Sequence, residues 1–166
     1  MEVEVGWGTL RMKSIEALSK ILSDAKRSGA YCLTGKVDAM ERAAKGAGLS
    51  IIKLDIGRVR GKSGFLSKMA TTLKFPRHFG RNWDALHDCL TDLSWLDTGG
   101  WLIVITNFTP FAKRHKKDFS LAIEVLASAA EYWRGQDKPF WVLVQGESNW
   151  DLGLPQVDQD LEPISS

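Results

Sequence analysis

Two short segments, Trp101–Ile105 (WLIVI) and Phe140–Val144 (FWVLV), are apolar at every position. A strand with one wet face alternates apolar and polar residues, whereas a strand covered on both faces is apolar throughout. Between the two runs Phe119, Ile123, Leu126, Ala130 and Trp133 recur at helical spacing, which predicts one long amphipathic helix. Strand, helix and strand in that order, with strands too apolar to face water, call for parallel pairing under helical cover. The fold class expected is α/β, with a small, mostly parallel sheet of three to four strands covered by helices.

The rest of the chain fits that alternation. Ile15, Leu18, Leu22 and Ala25 predict a helix over Lys13–Ser28, and Ala30–Thr34 reads as a strand. A helix over Val37–Ala47, a β-branched strand over Ser50–Ile56 and a helix over Phe65–Leu73 follow. The last dozen residues, rich in Asp, Gln, Pro and Ser, read as a frayed tail. A length of 166 residues with 44% hydrophobic and 25% charged content suits one globular core and excludes disordered or fibrous chains. The apolar runs fall far short of the roughly 18 residues a membrane-crossing helix needs. The opening MEVEVGWG has no apolar core of a signal peptide, and Cys32 and Cys89 are too few for a disulfide scaffold. A cytoplasmic location with free thiols is expected. Seven tryptophans are many for this length, and most are expected in the core with one N–H each to satisfy. Trp7 and Trp150 fall outside the expected core elements.

Charge is balanced in sum and uneven in place. Lys+Arg 22 against Asp+Glu 20 leaves +2, which does not announce a nucleic-acid binder. Yet Lys53–Arg81 carries eight bases against Asp55, and Lys113–Lys117 (KRHKK) adds a second basic knot. Trp83–Asp97 instead carries Asp84, Asp88, Asp92 and Asp97 with no base, and Gln145–Ser166 carries five acids and no base. An acidic stretch of this kind invites a cationic partner.

Three groups of residues could carry chemistry. Gly57–Gly64 (GRVRGKSG) lies between a strand and a helix, but only three residues separate Gly57 from Gly61, where a phosphate loop needs four before Gly-Lys-Ser/Thr. A nucleotide hydrolase is thus a minor alternative, and a solvated basic loop accounts for the segment. His78, Asp84, His87 and Asp88 could form an acid–base pair or a metal site, yet they lack the paired-histidine spacing of zinc helices. The third group is the helix holding them, RNWDALHDCLTDLSWL. Asn82 suits the N-cap, and Trp83, Leu86, Leu90 and Leu93 form one apolar face. Asp84, His87, Asp88 and Thr91 lie on a polar face. Asp84 gains from the helix dipole, but Asp88 and Asp92 lie beyond its reach and have no basic partner one turn away. Such a helix gains little for itself and is a surface suited to a cationic partner. Cys89, among acids, is expected to be a packed and unreactive thiol.

The segment FPRHFGRNWDALHDCLTDLSWL resembles the signature of the barstar family, densely so over Pro76–Thr91. The order of elements over residues 50–145 fits the same family. The resemblance divides the chain into an N-terminal extension (1–49: helix, strand, helix) packed on the domain, a barstar-like domain (50–145) and an acidic C-terminal tail (146–166). It implies a non-catalytic, intracellular inhibitor of a barnase-like ribonuclease that covers the nuclease active site with the acidic helix and its preceding loop. By position, the resemblance makes Asp88 the central carboxylate and Asp84 a second. His78 and Phe79 come from the loop, His87 and Thr91 from the helix, Asp92 adds a charge, and Glu131 on the long helix supplies a further interface acid. It implies no cofactor, no metal, no direct nucleic-acid or membrane binding, and a monomer when free. The family's namesake is strongly acidic, whereas this chain is near neutral and has Arg77 and Arg81 beside the loop. Those charges slow steering toward a basic ribonuclease. A different toxin, or a non-nuclease partner bound by the same face, is the alternative. With His78 and His87 in the interface, affinity should change between about pH 5.5 and 7.5.

Overall fold

The computed structural model describes residues 15–34, 37–96, 98–145 and 152–158. Three strands, β2 (Ser50–Asp55), β3 (Trp101–Thr106) and β4 (Phe140–Gln145), run in parallel, with Ser50 opposite Trp101 and Trp101 opposite Phe140. An earlier strand, β1 (Ala30–Thr34), joins the far side of β4, with Ala30 opposite Val142. The short β5 (Gln156–Asp158) closes the sheet beside β1. The order is β2-β3-β4-β1-β5, all parallel. The α/β class and parallel sheet are as the apolar runs require. The fifth strand corrects the reading of a frayed tail for residues 156–158; residues 159–166 lie outside the described residues. Three residues with one apolar side chain among them are too short to show a period, and the ladder with β1 orders them.

Helices cover both faces. Trp101, Ile103, Ile105, Phe140, Val142 and Val144 pack beneath α3 (Gly61–Thr72), α4 (Trp83–Leu90), α5 (Thr109–Arg114) and α6 (Lys116–Gly135). The alternate residues Leu102, Val104, Trp141 and Leu143, with Leu33 of β1, face the other way. There they meet Leu18 and Leu22 of α1 (residues 15–22) and Met40, Ala43 and Ala44 of α2 (Asp38–Gly46). The core of this second face is therefore built largely by the leading 49 residues.

Several element ends differ from the expectations. The first helix stops at residue 22, not Ser28. The Asp24 carboxylate accepts the Lys26 N–H at 3.0 Å and starts a separate 3-10 turn, Ala25–Arg27, which competes with helix continuation. Helix α3 begins at Gly61, one turn before Phe65, because its first turn carries no apolar stripe for periodicity to detect. The short α5, opened by Pro110 in its first turn, falls in a segment given no helix from the sequence.

Four indole N–H groups end on carbonyls at the close of a helix or turn. Trp95 donates to Leu73 after α3 (2.9 Å), Trp101 to Leu96 (3.0 Å), Trp133 to Leu90 of α4 (2.7 Å) and Trp141 to Leu22 of α1 (2.8 Å). The last carbonyls of a helix lack intrahelical partners, so each indole supplies one missing donor while its ring is buried (Trp101, Trp141) or partly buried (Trp95, Trp133). Trp7, Asp97 and Trp150 lie outside the described residues.

Candidate functional site

The acidic helix α4 is fixed at both ends. Before it, Arg81 takes a left-handed turn (φ 51), and Asn82, extended, accepts the Ala85 N–H on its side-chain oxygen at 2.7 Å. Leu86 and Leu90 are buried, and Trp83 packs on Phe65 with ring centroids 6.1 Å apart. The sequence reading ran this helix through Asp92 to Leu96, but it ends at Leu90. The Thr91 hydroxyl donates to the His87 carbonyl (2.9 Å), and Leu93 turns left-handed (φ 47), its N–H bonding Cys89 O at 3.1 Å. That left-handed residue and the Trp133 indole on Leu90 close the helix. Asp92 therefore stands on the turn after α4, and a 3-10 turn, Ser94–Leu96, follows.

Asp84, Asp88 and Asp92 are all exposed. Among the described residues none of them, nor Glu131, forms an ion pair; the pair present joins Lys53 to Glu41 at 3.1 Å. Helix α6 lies against α4, and the His87 Nε2 sits 3.1 Å from the Ser128 hydroxyl. Glu131 is exposed on α6, three residues after Ser128. His78 is exposed on the loop between α3 and α4. Phe79 is half-buried, its ring edge-on to Phe75 at 5.0 Å, and so anchors that loop from within. Arg77 and Arg81 are exposed at the margin.

The structure thus carries Asp84, His87 and Asp88 on α4, Thr91 at its C-cap and Asp92 on the adjoining turn, His78 on the preceding loop, and Glu131 on α6, the helix packed against α4. Ser128 was missed from the sequence. The signal was there, since Glu124, Ser128 and Glu131 fall at 0, 4 and 7 on α6, a polar stripe opposite its apolar one. Tyr132, 43% exposed, is the large hydrophobic side chain left open among the described residues, and its ring meets Trp133 edge-on at 5.1 Å. Burial of Cys89, reinforced by the carboxylates of Asp88 and Asp92, pushes its thiol above the ordinary cysteine value. Among the described residues no three His, Cys, Asp or Glu side chains come together to hold a metal ion. No helix among them is long and apolar enough to cross a membrane.

Fold and surface together define a layered α/β protein that presents an acidic helix whose carboxylates form no ion pair among the described residues. Residues 49–145 match the family described as Barstar (barnase inhibitor), and the chain belongs to the barstar family. Among solved structures, the Aeropyrum pernix ORC2 protein, determined in ADPNP–ADP complexes, aligns with a TM-score of 0.56 at 14% identity. The alignment takes in 82% of this chain and 41% of that one, so this chain spans less than half of its length. At that identity the likeness is one of fold. Comparison with curated protein sequences found no match.

Proposed function

We propose that this protein is a non-catalytic, cytoplasmic inhibitor of a barnase-like ribonuclease or a related nuclease toxin. Asp88 and Asp84 stand in for RNA phosphate in the nuclease's cationic active site. His78, His87, Thr91, Asp92 and Glu131 surround them, and Phe79 holds the loop in place. The observation that carries this reading is the absence of any ion pair to these acids among the described residues. A helix that leaves its carboxylates unpaired, yet is capped and packed at both ends, keeps a fixed anionic surface free for a partner. Membership of a family described as barnase inhibitors supports the same reading.

The test is a titration of this protein into barnase-type ribonucleases at low salt, following RNA cleavage, beside Asp88→Ala. Stoichiometric inhibition is expected, weakened in the variant by about 2–5 kcal/mol, the loss typical of truncating one partner of a buried charge pair. Equal inhibition by the variant would remove Asp88 from the active site. Inhibition of none of these enzymes would move the same face to another toxin or a non-nuclease partner, a reading that exposed Arg77 and Arg81 favour by disfavouring a uniformly basic rim.

A further inference from the structure

A second charged surface, a basic one, lies where β2 and β3 end, before the first turn of α3, whose Lys62 lies over the Trp83 ring that opens α4 (5.9 Å). The loop after β2 and the start of α5 enclose a concavity of about 340 Å³ lined by Gly57, Arg58, Val59, Arg60, Pro110 and Arg114. Arg58 also lines two neighbouring hollows. One, of about 690 Å³, runs over Asn107 at the end of β3; the other, of about 500 Å³, runs along α3 to Lys68. The three share their walls and form one branched groove. Bases far apart in sequence, Arg58 and Arg60 from one loop, Lys68 from α3 and Arg114 from α5, meet there. Among the described residues none of the four forms an ion pair. The one acid lining the groove is Asp55, exposed, whose Oδ1 accepts from the Asn107 amide (3.0 Å) and the Gly57 N–H (2.9 Å), one negative charge against four basic side chains.

We propose that this groove binds the phosphodiester backbone of nucleic acid, independently of sequence. Guanidinium groups match phosphate oxygens through two parallel N–H donors, and a row of them along a groove suits a polymer of phosphates. The lining holds no aromatic ring. Bases therefore have no stacking platform, and recognition rests on the backbone. A lipid surface fits less well, because docking there calls for exposed apolar side chains around the basic residues. The exposed large hydrophobic among the described residues, Tyr132, stands on α6 beside the acidic face instead. The near-zero net charge, which argued against a nucleic-acid binder, averages an acidic helix and this basic groove.

The experiment measures anisotropy of a labelled single-stranded oligouridylate titrated with the full chain at several salt concentrations. Contact with three phosphates gives a log–log salt slope of about −2, a weakening of about 15-fold between about 50 and 200 mM salt. The combined variant Arg58→Ala, Arg60→Ala, Arg114→Ala changes exposed side chains only and should fold as the parent does by circular dichroism. It is expected to lose that binding and the slope, while Lys45→Ala, exposed at the other end of α2, leaves both unchanged. Parental affinity in the triple variant would overturn the proposal. So would lack of binding at about 50 mM salt, where contacts of this kind are strongest, or arginine-dependent capture by anionic vesicles with none by RNA.

Discussion

Cys89 shows how the acidic surface shapes chemistry one residue away. Its thiol is raised by burial first and by Asp88 and Asp92 second, so the thiolate fraction at neutral pH falls below that of a free cysteine. Iodoacetamide labelling of the native protein, read by mass spectrometry on the Cys89 peptide, should be slow at neutral pH. Labelling should quicken in Asp92→Asn, and rapid labelling of the parent would contradict the burial seen. Asp55 moves the opposite way. The Asn107 amide, then the Gly57 N–H, hold its carboxyl below the ordinary range. A carboxyl lowered on folding adds stability above its unfolded value and loses it as pH falls through the folded one. Because Asp55 is exposed the effect is small. Asn107→Gly keeps the left-handed backbone (φ 58) and removes the amide, so the drop in urea midpoint between about pH 6 and pH 3 should shrink. At this scale the sequence revealed Asp84 and Asp88 through their helical spacing. Ser128 stood on a legible polar stripe of α6, but its contact with His87 was not legible, because it spans 41 positions and depends on how two helices cross.

Helix bodies were legible and helix ends were not. Periodicity found α2 nearly to the residue and, from Phe119 to Trp133, the body of α6, since an apolar stripe persists along each. The close of α4 depends on a left-handed Leu93 and on an indole 43 positions downstream, neither of which leaves a local trace. Trp133→Phe keeps most of the buried ring and removes that one donor. It should lower stability by about 1 kcal/mol, the net worth of a typical hydrogen bond, and loosen the last turn of α4. Urea unfolding gives the first quantity, and amide exchange at Leu90 and Thr91 gives the second. Unchanged exchange there would show that packing against α6 closes α4 without the indole.

For the whole molecule, the family match covers β2, β3 and β4 and the helices on one face of the sheet, while the leading residues supply β1 and most of the cover of the other face. A chain starting at residue 50 would leave Leu102, Val104, Trp141 and Leu143 without their cover. Each such side chain is worth about 1.5–3 kcal/mol when fully buried. The four together rival the roughly 5–15 kcal/mol that holds a typical domain. The truncated chain is expected to aggregate or to bind a hydrophobic dye, and a soluble fragment with a cooperative transition would show that the second layer is dispensable. The continuous apolar strands already demanded this layer, since residues 101–105 leave no face for water. What they could not reveal was that β1 would enter the sheet between β4 and β5, because pairing of remote parallel strands carries no mark within either one.

That strand order has a consequence for synthesis. The partners of β1 are β4 and β5, both made long after it, so β1 leaves the ribosome with no neighbour to pair with. Its edges, and the part of the α1 and α2 faces that Trp141 and Leu143 cover, must wait until Phe140–Gln145 has emerged. Long-range parallel pairing is slow, and a half-made chain with open strand edges is prone to aggregate. Nascent chains stalled before β4 should therefore engage chaperones, and those extended past β5 should be released from them.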